Sequence, residues 1–140
     1  MSIQQTLTTS FKQQILLGEH DLETDTLKIA LYTAFATLGP DTTAYSTTNE
    51  VTGTGYSAGG IVLTGVTISA ASNGTVYVDF DNAVWNPAAF TCRGALIYNA
   101  SKSNKSIAVL DFGADKTCRS EEHTSELQSH LNLVCRLLLE

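Results

Sequence analysis

Three carboxylates in this chain have the spacing that most resembles a chemical site. Asp79 and Asp81 stand two positions apart, which puts both on one face of a strand, and Asp111 lies on a later predicted strand. Paired carboxylates of this kind serve glycosidases, where the mechanism sets their separation within a cleft. Their oxygen atoms also suit Ca²⁺. Strand residues that face solvent show the same pattern, and on that interpretation we predict no catalytic and no metal-binding residue.

The other reactive side chains are isolated in the sequence. His20 lies between two acidic residues just after a predicted helix, where we expect it to be solvated. Cys92 stands inside an apolar strand and is expected in the core, although a pairing with His20 stays open at this point. With Cys118 and Cys135 the cysteines are odd in number, widely spaced and without a CxxC or Cys/His ligand set. The run Gly55-Tyr56-Ser57-Ala58-Gly59 matches GxSxG but stands within the predicted loop, without the strand and helix of a nucleophile elbow, and no GK[ST] phosphate loop occurs. We therefore predict a non-enzymatic protein with no cofactor.

The composition fits one small domain that does not bind nucleic acid. The chain has 140 residues, of which 43% are hydrophobic, enough to form one core. Its formal net charge is −6, whereas nucleic-acid binding needs clustered Lys and Arg to displace phosphate counterions. No stretch approaches the ~20 consecutive apolar residues of a membrane span. The opening residues lack the basic start of a signal peptide, so we expect a reduced chain made in a cytoplasm, with no membrane partner.

An α-helix is predicted near the N-terminus. A capping-box pattern opens at Ser2, and apolar residues then recur every fourth position along one face. Gly18 can take the left-handed conformation that ends a helix. The helix is therefore expected from about Ile3 to Leu17, packed against a sheet or between subunits.

The remaining segments indicate antiparallel strands. The alternation from Leu27 to Tyr32 predicts a half-buried strand, and Ile61–Ala70 and Thr75–Phe80 predict a hairpin around Ser72-Asn73-Gly74. The segment Arg93–Asn99 is apolar on both faces, which indicates a central strand.

A further strand, Ile107–Phe112, is expected antiparallel to the one before it. The Thr- and Gly-rich stretch Gly39–Gly60 predicts a long loop with a turn at Gly39-Pro40-Asp41. The predicted fold is mainly β: an antiparallel β-sandwich or open barrel with an N-terminal α-helix.

The end of the chain differs in character from the rest. The run Arg119 to His130, RSEEHTSELQSH, back-translates in frame to a string that resembles a common short-read sequencing adapter. We therefore predict one domain over residues 1–117 and a non-native tail over 118–140. On this interpretation a turn at Asp115-Lys116 would lead into a strand that the tail has replaced. The alternative is a true C-terminal helix, because the leucines of this segment form an apolar stripe behind a Ser120 cap.

Several blocks between about Ser2 and Thr117 are distinctive as a set. They are LTTSFKQQILLGEHDL, DTLKIALYTAFATL, TTNEVTGTGYSAGGIVLTGV, the Asn73-Gly74 turn, Trp85 and TCRGALIYNASKSNKSIAVLDFGADKT. Together they resemble a family of small bacteriophage and prophage virion proteins. The resemblance implies a structural component of the particle in a β-rich fold, such as a capsid decoration protein, a head fibre or a tail-associated protein. Relatives of this kind continue after ADKT with a Thr- and Val-rich strand, from which this chain departs.

Two functions are compatible with these patterns. The resemblance implies a virion structural protein, assembled in the host cytoplasm, that associates with copies of itself or docks on the capsid or tail. Its predicted contact residues are Phe11, Phe35, Tyr45 and Tyr56, because aromatic anchors concentrate interface energy. The alternative is a small carbohydrate-recognising β-sandwich module, in which Tyr45, Tyr56 or Trp85 would stack on sugar faces.

Overall fold

A computed structural model of the chain describes residues 3–53, 55–70, 76–80 and 89–119. The elements within these ranges follow one another in this order: β1 (Thr6–Leu7), α1 (Thr9–Leu16), β2 (Leu27–Tyr32), β3 (Ile61–Val62), β4 (Thr67–Ala70), β5 (Val76–Asp79), β6 (Ala89–Asn99) and β7 (Lys105–Arg119). A single 3₁₀ turn, Ala100–Lys102, joins β6 to β7. The prediction of a mainly β fold with an N-terminal helix is confirmed.

The described strands form a five-stranded antiparallel sheet in the order β1-β7-β6-β2-β3 and a separate two-stranded hairpin, β4-β5. Strand β6 pairs with β2 on one edge, from Tyr98 opposite Lys28 to Gly94 opposite Tyr32, and with β7 on the other. The prediction of a central strand over Arg93–Asn99 is therefore confirmed. The prediction that Ile107–Phe112 runs antiparallel to it is confirmed as well.

Both faces of this sheet are covered. On one face Ile29 and Ile97 pack with Phe11 of α1 and with Val78 and Phe80 of the hairpin segment. On the other face a second cluster is built from residues that alternate with the first and from the segment after β2: Ala30, Tyr32, Ala36, Leu38, Leu96, Tyr98 and Val109. The expectation that β2 is half-buried was wrong. The face of β2 that was expected to meet solvent is covered, because the chain returns over it after Tyr32.

The N-terminal helix is shorter than predicted. It begins at Thr9, and Thr8 is its N-cap, whose hydroxyl accepts a hydrogen bond from the Phe11 N–H at 3.3 Å. The capping box at Ser2 was wrong because the preceding residues are extended: Thr6 pairs with Val109 of β7, and the Thr8 N–H donates to the Ile107 carbonyl at 3.0 Å. Gly18, with φ +76°, follows the helix as predicted.

The segment predicted as one strand from Ile61 to Ala70 is divided between the two sheets. Strand β3 pairs with β2, whereas β4 pairs with β5, and Gly65 takes a positive φ of 64° between them. The register of the hairpin brings Ala70 opposite Val76, as the predicted hairpin requires. Its Ser72-Asn73-Gly74 turn lies outside the described residues, as does Trp85.

The turn predicted at Asp115-Lys116 is instead part of one continuous strand. Gly94 pairs with Asp111 and Cys92 with Lys116, so that four residues of β7, 112–115, lie opposite the single residue Arg93. This bulge takes up the extra length without reversing the chain. Strand β7 continues to Arg119. Residues from Ser120 onward lie outside the described part of the chain. The interpretation of the tail as adapter-derived therefore stays a prediction.

The loop that follows β2 depends on a glycine at its far end. Gly60 has φ +77°, and a Cβ at this position would lie 1.8 Å from the carbonyl oxygen of Ile29. No side chain fits between the loop and the backbone of β2 there. Gly18 also has a positive φ but nothing within 4 Å of its Cβ position.

We expect Gly60→Ala to lower the free energy of unfolding by about 3 kcal/mol or more, since it adds a backbone clash to the left-handed strain. Gly18→Ala is the matched control and should cost about 1 kcal/mol, from strain alone. Urea unfolding monitored by circular dichroism measures both values. Equal losses for the two variants would contradict the close approach of Gly60 to β2.

Candidate functional site

The four aromatic residues predicted as contacts occupy three different environments. Phe11 lies in the core, 2% exposed, with its ring 5.2 Å from that of His20. Phe35 is 67% exposed on the segment after β2. Tyr45 and Tyr56 are half-buried, and a single carboxylate brings them together. Phe11 is thus a core residue rather than a surface contact, because α1 turns that side of the helix onto the sheet.

That carboxylate belongs to Glu50, which is only 8% exposed. Its Oε1 accepts a hydrogen bond from the Tyr45 hydroxyl at 2.6 Å, and its Oε2 accepts from the Tyr56 hydroxyl and from the Gly59 N–H at 2.8 Å. The backbone of Glu50 is placed by a bridge to Tyr32 at the end of β2. A buried charge thereby obtains three donors, all from its own chain.

Other tyrosines complete this cluster around the long loop. Tyr98 of β6 stacks on Tyr45 with ring centroids 4.7 Å apart and donates to the Gly59 carbonyl at 2.6 Å. Tyr32 donates to the Ser46 carbonyl at 2.7 Å. We call Tyr32, Tyr45, Glu50, Tyr56 and Tyr98 the tyrosine–glutamate cluster. It fastens the loop after β2 to the sheet at several points.

Burial raises the pKa of each of these tyrosines, and the neighbouring Glu50 carboxylate raises it further. For Tyr98 the pKa rises to about 12. The hydroxyls therefore stay protonated as donors at neutral pH. The chemistry of the cluster is anchoring, since the carboxylate oxygens and the tyrosine hydroxyls bond one another or the backbone. Sequence reasoning missed Glu50, whose one signal is that it is an acidic residue in a Thr-, Ser- and Gly-rich loop whose other charged residue, Asp41, lies in the turn at its start.

His20 is buried, 7% exposed, so the expectation that it is solvated was wrong. Its Nε2 is 2.8 Å from Oε1 of Gln14 on α1, and the residues after Gly18 fold its ring back against the helix. Burial lowers the pKa of His20, and the charge of Lys105 lowers it further. The side chain is held in the neutral form.

Among the residues considered for catalysis, those that the structure describes do not share one site. His20 lies beside Asn99, whereas Asp111 is opposite Gly94, five positions and roughly 16 Å away along β6. Oδ1 of Asp111 is 3.7 Å from Nε of Arg93. Cys92 is buried still further along β6, as predicted for a core residue. The side chain of Asp79 and the whole of Asp81 lie outside the described residues.

Two surface grooves border these clusters. An apolar groove of about 710 Å³ runs beside α1, and its lining includes Leu7, Ile15, Leu16, Leu22, His20 and Ile68. A polar groove of about 750 Å³ lies under the start of the long loop, and its lining includes Gln4, Asp41, Thr42, Thr43, Thr48 and Asn49. Among the described residues, no group of three His, Cys, Asp or Glu side chains is arranged to hold a metal ion.

Comparison of the chain with protein-family models, with curated proteins and with solved structures gave no match. Over the part of the chain that the structure describes, no helix has the length and apolar character needed to cross a membrane. Function is therefore argued from the surfaces of this molecule.

The tyrosine–glutamate cluster can be tested by a change that keeps its shape. Glu50→Gln replaces one acceptor oxygen by an NH₂ group, which cannot accept from a tyrosine hydroxyl or from the Gly59 N–H. We expect a loss of about 2–3 kcal/mol in the free energy of unfolding, the usual range for a hydrogen bond to a charged group.

The matched control is Glu23→Gln, because Glu23 is exposed and the same substitution there should change stability by less than about 0.5 kcal/mol. Denaturant unfolding gives both values. A Glu50→Gln variant as stable as the control would show that the carboxylate does not anchor the loop.

Proposed function

We propose that this chain is a non-enzymatic structural component of a bacteriophage particle, which acts by associating with copies of itself or by docking on the capsid or tail. Its place would be the virion, and its partners other virion proteins. Two kinds of observation support the proposal: the residue blocks that resemble small virion proteins, and an apolar surface beside α1. The apolar surface is the stronger support, because it is a property of the folded molecule.

That surface presents large apolar side chains to water at the C-terminal end of α1. Leu16 is 87% exposed and Leu17 67%, and Ile15 and Ile68 are each about two-fifths exposed. Contiguous apolar surface on a small domain marks an interaction site more often than scattered single residues do. Covering one leucine fully contributes roughly 1.5–3 kcal/mol, so a few such side chains suffice for a specific contact.

The local structure explains why these residues are exposed. Phe11 faces the core, and the helix ends within two turns of it, at Leu16. Gly18 then turns the chain back toward the sheet, so that Leu16 and Leu17 lie at the outer corner of the turn. Lys12 and Asp21 give the groove rim one charge of each sign. Such a rim suits an association that is apolar at its centre and polar at its edge.

Self-association through this surface is tested with Leu16→Gln and Leu17→Gln, which keep side-chain length and helix propensity. We expect each variant to raise the dissociation constant of the self-associated protein by about tenfold or more in sedimentation velocity. The control is Val62→Thr, a similar loss of exposed apolar surface on β3 at the other edge of the sheet.

If only the Val62→Thr control loses association, the contact between copies lies at the β3 edge instead. A wild-type protein that stays monomeric at every concentration, and that mass spectrometry does not find in purified particles of its phage, would overturn the proposed function.

The polar groove favours a second candidate, a carbohydrate-recognising module. Its hydroxyl and amide side chains are the groups that hydrogen-bond sugars, and Asn49 of its lining donates through Nδ2 to the backbone carbonyl of exposed Phe35 at 3.1 Å. Phe35 would be the stacking residue. Tyr45 and Tyr56, considered earlier for that role, are engaged with Glu50.

If the groove binds sugars, a glycan array will identify a ligand whose affinity falls about tenfold in Phe35→Ser, the loss of one aromatic stacking contact. Isothermal titration calorimetry measures that affinity. Leu17→Ser is the control, since Leu17 is equally exposed and lies away from the polar groove. The absence of binding across the array would remove this candidate and leave the first proposal standing.

A further inference from the structure

The segment between α1 and β2 is joined to the sheet through the ring of His20. One ring nitrogen, Nε2, is 2.8 Å from Oε1 of Gln14, and the other, Nδ1, is 3.0 Å from Nδ2 of Asn99 at the end of β6. The ring also packs on Phe11. Asn99 is completely buried, so no water competes for its amide.

The orientation of the Asn99 amide is fixed by two further hydrogen bonds. Its Oδ1 accepts from the Ser101 N–H at 3.0 Å, and its Nδ2 donates to Oδ2 of Asp25 at 2.8 Å. Rotating the amide by half a turn would set its oxygen against a carboxylate and its NH₂ group against an N–H. The NH₂ group must therefore face His20 as a donor.

This orientation dictates the protonation state of the imidazole. Since Asn99 donates to Nδ1, that nitrogen must be the acceptor, and the single ring proton is on Nε2, where it is donated to Gln14. A second proton on Nδ1 would point at the amide hydrogens across 3.0 Å. The protonated His20 ring is therefore incompatible with the hydrogen bonds that its two neighbours make.

We propose that His20 is an acid-sensitive latch, in which protonation of Nδ1 breaks the bond to Asn99 and loosens residues 17–24 from the end of β6, while Asp25 stays bonded to Asn99. The device is local, since the tyrosine–glutamate cluster holds the loop after β2 by other contacts. His20 also lines the apolar groove beside α1, so its release changes the shape of that surface. This last consequence rests on the function proposed above, and the latch itself does not.

Charged groups surround the imidazole from each element packed against it. Lys105 of β7 and Lys102 of the 3₁₀ turn oppose its protonation, whereas Asp25 and Glu19 favour it. Glu19 is paired with Lys105 at 2.7 Å, and Asp25 is hydrogen-bonded to Asn99, so each carboxylate is already partly compensated. Burial is the largest influence, and it lowers the pKa of His20.

The direction of the pH effect follows from that lowered pKa. The unfolded chain takes up a proton on His20 near pH ~6.5, before the folded chain does. The contribution of His20 to stability is therefore complete above about pH 6.5 and is lost as the pH falls toward the folded pKa. Glu19 and Asp25 also have lowered pKa values in the fold, but their contributions are lost only below about pH 4.5, where free carboxylates titrate.

A site-resolved measurement is needed, because the chain has two other histidines, His123 and His130. Hydrogen–deuterium exchange at about pH 7.5 and about pH 5.5, corrected for intrinsic rates, should show about tenfold loss of protection in peptides covering residues 14–25. Peptides from the loop around Glu50 should keep their protection. In His20→Gln, which cannot gain the charge, residues 14–25 should respond equally at both values.

The variant Asn99→Asp replaces the hydrogen-bond donor that faces Nδ1 of His20 by an acceptor, which favours the protonated imidazole. NMR titration of the imidazole should then give a His20 pKa above ~6.5, against a value below ~6.5 in the wild type. The latch is overturned if wild-type residues 14–25 keep equal protection at both pH values, or if His20→Gln loses protection as the wild type does. An intact latch in a protein that never self-associates and is absent from purified particles would contradict only the proposed function.

Discussion

Strand β6 is hydrogen-bonded along both edges and buried on both faces from Gly94 to Asn99, and the described elements around it are placed by the need to cover it. Because both faces of β6 are buried, other segments must cover the sheet on both sides. Helix α1 and the hairpin cover one face, and the chain after β2 must return over the other. The long loop is therefore a layer of the fold rather than a surface connection.

Covering the sheet in this way buries polar groups, which then need partners within the chain. Among the described residues, two groups of side chains meet a large part of this need. Glu50 collects donors from Tyr45, Tyr56 and Gly59 and holds the outer layer, while Asn99 connects His20, Asp25 and the 3₁₀ turn at the end of β6. In both cases an ionisable group is held by hydrogen bonds from its own chain.

The apolar surface beside α1 is a consequence of the same architecture. Because β1 pairs with β7, the helix is limited to residues 9–16, and its last turn projects Leu16 beyond the sheet. Leu16 and Leu17 are left in solvent, close to the His20 ring that holds the following segment.

The sequence by itself determined the features that depend on local periodicity and backbone freedom. The strand over Leu27–Tyr32, the apolar run of β6, the pairing of β4 with β5 and the end of the helix before Gly18 could all be predicted from neighbouring residues. Tertiary structure alone decided where the helix begins, that both faces of β2 are covered, and that His20 and Glu50 are buried. The partners responsible are distant in sequence, as with the 79 positions between His20 and Asn99. A local sequence pattern indicates the backbone conformation and the period of the apolar residues. Burial depends instead on which distant segment packs over a residue and excludes water from it.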